Sequence, residues 1–189
     1  HPLLYTGDMV RATIDGIKNV TRRIILPQPE VFDNAGQPDY ACLKDTKKNW
    51  QVGDLIWVRE TWSTGIEWDE DKPSEIDLLG VGDIGGIWYW ADGEPCKGWG
   101  KKRASIFMPK LFTRLWLEIV NVRAERLQEI SINEIRAEGV CDLRDKNNNI
   151  VKTYNERWID LWDSINAKRG YPWESNPWIW RIEFEIAKI

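Results

Sequence analysis

The order of elements legible along these 189 residues predicts an α+β fold, a curved, mostly antiparallel sheet with helices beside it rather than between its strands. Three observations carry that expectation. Apolar and polar residues alternate in the run from Arg114 to Leu127, where Leu115, Leu117 and Ile119 oppose Trp116, Glu118 and Val120, and again in the closing run from Trp178 to Ile186. Helical spacing governs two consecutive segments between those runs. No internal repeat or low-complexity segment breaks the order. At this length one domain covering 1–189 is expected, able to bury roughly 70% of the extended chain's surface.

The elements follow in turn. Thr6 is placed to cap a short helix that Gly16 stops. Val20 to Ile25 is β-branched enough for a strand, closed by Pro27 and Pro29. Residues 30–49 read as loop and end in the basic, polar run Lys44 to Asn49. Gly53-Asp54 turns into a strand from Leu55 to Arg59, with Trp57 and Leu55 on one buried face. Glu67, Asp69, Glu70, Asp71, Glu75, Asp77 and Asp83 face only Lys72, so an exposed acidic insertion is expected at about 63–85. Gly86 to Trp90 is a further strand. Ser131-Ile-Asn-Glu134 is a capping box for a helix ending near Gly139. Trp158, Leu161, Trp162 and Ile165 form the apolar stripe of a helix over 156–168, which Gly170 ends.

Composition excludes several function classes. The formal charge is −4 and mean hydropathy is −0.50, so neither a strongly basic nucleic-acid coat nor a membrane-spanning chain is expected. Cys42, Cys96 and Cys141 are scattered and make no zinc-binding spacing, as for thiols in a reducing cytoplasm. The single histidine, His1, stands before Pro2 and reads as a remnant of processing or cloning; no signal-peptide pattern opens the chain. Catalysis by a Ser-His-Asp triad, a Cys-His pair or a His-ligated metal is thereby excluded, and no cofactor is expected. Lys, Thr, Ser, Tyr, Asp and Glu remain as actors.

A set of blocks in fixed order then carries a resemblance: Met9-Val-Arg-Ala12, Gly16-Ile-Lys-Asn-Val-Thr-Arg-Arg23, Gly53-Asp-Leu-Ile-Trp-Val-Arg-Glu-Thr-Trp62, Ser105-Ile-Phe-Met-Pro109, Ile130-Ser-Ile-Asn-Glu-Ile-Arg-Ala-Glu-Gly139, Leu161-Trp-Asp-Ser-Ile-Asn166 and Asn176-Pro-Trp-Ile-Trp-Arg-Ile-Glu-Phe184. With these the chain resembles the ASCH domain of the PUA-like superfamily, in its larger phage or prophage form. The resemblance implies a small curved β-barrel with flanking helices, here with a long insertion, and a cytoplasmic setting. Compact bacterial members include N4-acetylcytidine amidohydrolases, which hydrolyse a C–N amide bond. Their proposed catalytic Lys, Thr and Glu are met here by Lys18, Thr21 and Glu138.

On their own physics, Lys18 and Thr21 read as a solvated charge and a strand filler. With the resemblance they read as a pocket, in which Arg22 or Arg23 lowers the lysine's pKa so that it activates a hydroxyl or water. Glu138 falls at a helix C-terminus, where the macrodipole disfavours a carboxylate unless a cation answers it. Trp57, Arg59, Glu60 and Trp62 are candidates for a base-stacking wall with a carboxylate beside it. Between Lys97 and Arg114 there is no acidic residue, and a basic loop at about 97–114 carries Lys97, Trp99, Lys101, Lys102, Arg103 and Lys110 as a phosphate-tracking set. The same loop also reads as merely solvated. Three functions follow: an amidohydrolase acting on N4-acylated cytidine-type nucleosides, a non-catalytic reader of single-stranded RNA rather than DNA (or of modified DNA), and a phage protein-interaction or morphogenesis factor using the acidic insertion.

Overall fold

The structure of the chain, a computed structural model, describes residues 1–39, 43, 46, 50–76 and 86–188. Most of the run Lys44 to Asn49, together with Cys42, Asp77 and Asp83, lies outside the described residues. The contacts divide the chain into two compact units. Unit 1 comprises 1–16, 55–118 and 186–189, and unit 2 comprises 17–54 and 119–185.

In unit 1 the strand β1 (Pro2–Leu4) runs parallel to β3 (Leu55–Arg59), with Leu3 opposite Val58. β3 in turn pairs antiparallel with the start of β6 (Trp116–Arg126), Ile56 opposite Leu117. The β1–β3 pair is the one parallel pair described among the strands, the other described pairs being antiparallel as expected, and β1 itself is too short for periodicity to reveal. Ile56 and Val58 have no exposure and Trp57 is buried as expected, while Leu55 at the strand's start is 43% exposed. The helix α1 (Gly7–Ile14) begins as expected with the Thr6 side chain accepting from Met9 N–H, and Gly16 follows its end at φ +72°. Two short strands, β4 (Trp62–Ser63) and β5 (Trp88–Tyr89), pair antiparallel over a core of Trp62, Ile76, Met108 and Phe112.

That core takes in Ile76 from the acidic stretch. Ile76 is 4% exposed, and the backbone carbonyls of Trp68 and Asp71 accept from the Arg103 guanidinium, so the described part of 63–85 is stapled down rather than free. Gly100 permits the staple. A Cβ there would sit 3.0 Å from the Gly65 carbonyl oxygen and closer still to the Asp69 carboxylate.

In unit 2, β2 (Val20–Ile24) pairs antiparallel with β9 (Trp178–Ile186), from Val20 opposite Glu183 to Ile24 opposite Ile179. The helices α2 (Ile132–Ala137) and α3 (Tyr154–Asn166) cover a core of Leu127, Ile135, Val140, Trp158, Trp162 and Ile179. Between them β7 (Leu143–Arg144) and β8 (Ile150–Lys152) form a small hairpin that no sequence pattern had marked. α3 starts two residues earlier than its apolar stripe suggests, because Thr153 and Glu156 form a second capping box. Ile165, expected on the stripe, is 46% exposed.

By hydrogen-bonded neighbour, five of the described strands are ordered β1-β3-β6-β9-β2, a mixed sheet with helices, and hence α+β. β1 and β2 are the ends of that order, and no pairing closes it among the described residues.

Candidate functional site

The charged cluster of unit 2 is set by two local rules. Ser131 caps α2, and six residues later the helix ends, leaving Glu138 as its C-cap and Gly139 at φ +81°. The segment leading into β2 is then tied to that end: Asn19 N–H donates to the Ala137 carbonyl, and the Asn19 carbonyl accepts from Phe184 N–H. Lys18 is thereby held against Glu138. Its Nζ donates to Glu138 Oε2 at 2.7 Å, to the Glu138 carbonyl at 3.0 Å and to the Val20 carbonyl at 2.7 Å. Both residues are buried, Lys18 at 2% exposure and Glu138 at 5%. Burial dominates the proton affinity of Lys18 and lowers it, against the pull of the Glu138 carboxylate and with a smaller push from Arg23 and Arg22.

Arg22 extends the cluster. Arg22 and Arg181 are paired in register across β2 and β9, so their side chains share one face, and both reach Glu134. Two guanidinium groups side by side require carboxylates, and these are supplied by Glu125, Glu134, Glu138 and Glu183. Arg22 Nε donates to Glu125 Oε1 at 3.0 Å and Nη1 to Glu138 Oε1 at 3.3 Å. Its Nη2 lies 2.8 Å from Glu125 Oε1 and 3.3 Å from Glu134 Oε1, so the guanidinium is held between these two carboxylates. Burial opposes ionisation of Glu134, yet the Ser131 N–H, Arg22, the Ser131 hydroxyl and Arg181 together hold its pKa below the ordinary carboxylate value. Exposure rises along the chain of contacts from Lys18 to Glu134 and then to Arg123, whose side chain is 51% exposed.

The structure therefore brings Lys18, Arg22 and Glu138 together. It does not bring Thr21 to them by the route the sequence suggested. Thr21 lies opposite Ile182 in the ladder, and the two-residue period turns Thr21 and Arg23 to the other face of β2 from Arg22. Thr21 is buried there at 2% exposure. Sequence reasoning missed Glu125, Arg123 and Arg181 as members of the cluster. Their signal was present: Arg123 and Glu125, like Arg181 and Glu183, are charges spaced by two on a strand, which places each pair on one face.

The remaining candidates lie in unit 1. Glu60 is 1% exposed and held by both arms of Arg114, at 2.9 Å each, while Arg114 also grips Asp92 and lies 4.1 Å from the Tyr89 ring centroid. Burial, countered by Arg114, pushes the Tyr89 phenol up to about 12. Trp62 has no exposed surface and packs on Phe112 at 5.2 Å between centroids, so its ring is filled by protein rather than offered as a wall. Trp57 is 9% exposed with the Arg59 guanidinium 4.4 Å over its ring. Trp99 packs against Trp88, and Arg103 is spent internally on backbone carbonyls. Lys97, Lys101, Lys102 and Lys110 are exposed.

Among the described residues no group of three or more His, Cys, Asp or Glu is placed to hold a metal ion, and no helix is long and apolar enough to cross a membrane. No family model matches the chain. No curated protein matches it. Among solved structures it is similar to a crystal structure of an ASCH domain from Lactobacillus crispatus, at 10% sequence identity and a TM-score of 0.42, over 94% of this chain and 69% of that one.

Proposed function

We propose that this chain is an ASCH-type, PUA-like domain of phage or prophage origin that recognises a nucleobase or nucleotide, and that unit 2 holds an amidohydrolase site for N4-acylated cytidine-type nucleosides. One observation carries the catalytic part: Lys18 and Glu138, far apart in sequence, meet in a buried contact of 2.7 Å. The substrate class rests on the ordered sequence blocks from Met9 to Phe184.

The chemistry asked of the site is modest. Water adds to the acyl carbon, the bond from that carbon to the exocyclic nitrogen breaks, and the nitrogen leaves with a proton. A lysine whose proton affinity is lowered by burial can pass its proton to the adjacent carboxylate and act as the base. Glu138 then returns the proton to the leaving nitrogen. The oxyanion that develops on the acyl oxygen takes its hydrogen bonds from Arg22, Arg23 or backbone N–H groups. Thr21 is the nucleophile or water-orienting hydroxyl if the acyl group lies on its side of β2.

Incubation with a panel of acylated and otherwise modified nucleosides, followed by mass spectrometry, tests the reading. Deacylated product is expected with the wild type and not with Lys18→Ala. No product across the panel would sink the enzymatic reading. It would leave the non-catalytic one, which the exposed Lys97, Lys101, Lys102 and Lys110 favour. Thr21→Val separates the two faces of β2, since lost turnover assigns the acyl group to the face of Thr21 and retained turnover to that of Arg22.

A further inference from the structure

Unit 1 contains a half-open cleft of about 230 Å³ that the amidohydrolase reading does not use. Gly7, Asp8, Arg11, Thr61, Trp90 and Lys102 line it. We infer that this cleft binds a phosphate ester group of a nucleotide, with Lys102 and Arg11 as its cations and Trp90 as its wall. The inference deepens the nucleotide-recognition reading, but it rests on unit 1 residues alone.

The wall is rigid. Trp90 Nε1 donates to Ser63 Oγ at 2.8 Å, and Ser63 Oγ donates in turn to the Lys101 carbonyl at 3.0 Å, so the indole is fixed from a residue with no exposure. Lys102 Nζ stands 4.1 Å from the Trp90 ring centroid and has no carboxylate partner among the described residues. A cation–π contact at an exposed site is weak compared with a charge-assisted hydrogen bond, so an anion entering the cleft can recruit this ammonium cheaply.

Arg11 is fixed as well. Its Nη1 donates to the Ala91 carbonyl at 2.6 Å and its Nη2 to Asp8. Asp8 is the one carboxylate on the lining, so the cleft keeps a surplus of positive charge. The first amides of α1, at Gly7 and Asp8, have no acceptor within the helix and add to that surplus.

Size and chemistry select the ligand class. The volume is below the roughly 300–1,000 Å³ of pockets that enclose whole drug-sized ligands, which suits a small anion with part of its carrier outside. A phosphate ester offers several acceptor oxygens to two spaced cations, and the indole gives the attached sugar or base an apolar surface. The phosphate can be the monoester of a free nucleotide or the diester of a strand, and the arms of the experiment separate them.

Isothermal titration at low salt, with cytidine, cytidine 5′-monophosphate, inorganic phosphate and a single-stranded RNA decamer as probes, tests the inference. The monophosphate or the decamer should bind at least about tenfold more tightly than cytidine. Tight binding of the monophosphate identifies the monoester, and tight binding of the decamer alone identifies the diester. Lys102→Glu should weaken the preferred probe by about tenfold or more with an unchanged melting temperature, whereas Lys18→Ala should leave the preference for phosphate intact. Arg11→Gln is a second variant, and Lys102→Glu suffices if Arg11→Gln unfolds. Equal affinity for cytidine and every phosphate-bearing probe would overturn the inference, as would full affinity in Lys102→Glu. Absence of deacylation with the phosphate preference retained removes only the reading of Lys18.

Discussion

An ammonium as buried as that of Lys18 must place its protons on acceptors or lose one, and here one carboxylate oxygen and two carbonyls take them. Removing one partner of such a pair leaves the other charge buried. Lys18→Met should therefore destabilise the fold by about 3–5 kcal/mol in urea unfolding, with Lys18→Met/Glu138→Leu recovering part of the loss. The pH dependence has a definite sign. Because burial lowers the folded pKa of Lys18 below its ordinary 10.5, the unfolded chain binds the extra proton in the window beneath that value. Stability from this group rises with pH there, so the wild type should gain on Lys18→Met as unfolding is measured from pH 8 to pH 10. For the chemistry, Glu138→Gln should abolish deacylation while nucleoside binding stays measurable. Unchanged turnover would remove Glu138 from the mechanism.

At the level of elements, three helix starts among the described residues are made by side-chain caps, and two of these were visible as Thr6 and the box Ser131 to Glu134. The third, Thr153 with Glu156, carries the same spacing but was overlooked because the apolar stripe begins only at Trp158. Thr153→Ala should cost about 0.5–2 kcal/mol in thermal or urea unfolding. The Glu134 box is also pH-sensitive. Its folded pKa lies below the ordinary carboxylate value, so its contribution is present above that value and is lost as pH falls through the folded one. The strand β2 shows the limit of spacing arguments. Lys18 and Thr21 are three apart, which suggested a shared pocket, but Lys18 precedes the strand and is bent toward Glu138 while the ladder turns Thr21 the other way.

Across the whole molecule, charge is sorted rather than spread. Of the six cations between Lys97 and Arg114, Arg103 and Arg114 are spent inside unit 1 on carbonyls and carboxylates. Lys97, Lys101, Lys102 and Lys110 are left for an external anion. If all four meet phosphates, binding of single-stranded RNA should weaken with a log–log salt slope of about −3, or about 50-fold between 50 and 200 mM salt, by fluorescence titration. A flat salt profile would assign those lysines to solvation alone. The sequence by itself determined the α+β class, the capped helices, the long strands β6 and β9, and Lys18 and Glu138 as candidates, because period, caps and motif order are local properties of the chain. Tertiary structure alone decided that Trp62 is core, that β1 pairs in parallel with β3, that Ile76 is buried, and that Arg22 and Arg181 meet at Glu134. Those outcomes depend on which distant residues meet, and for a buried charge or an indole the partner, not the residue type, sets the role.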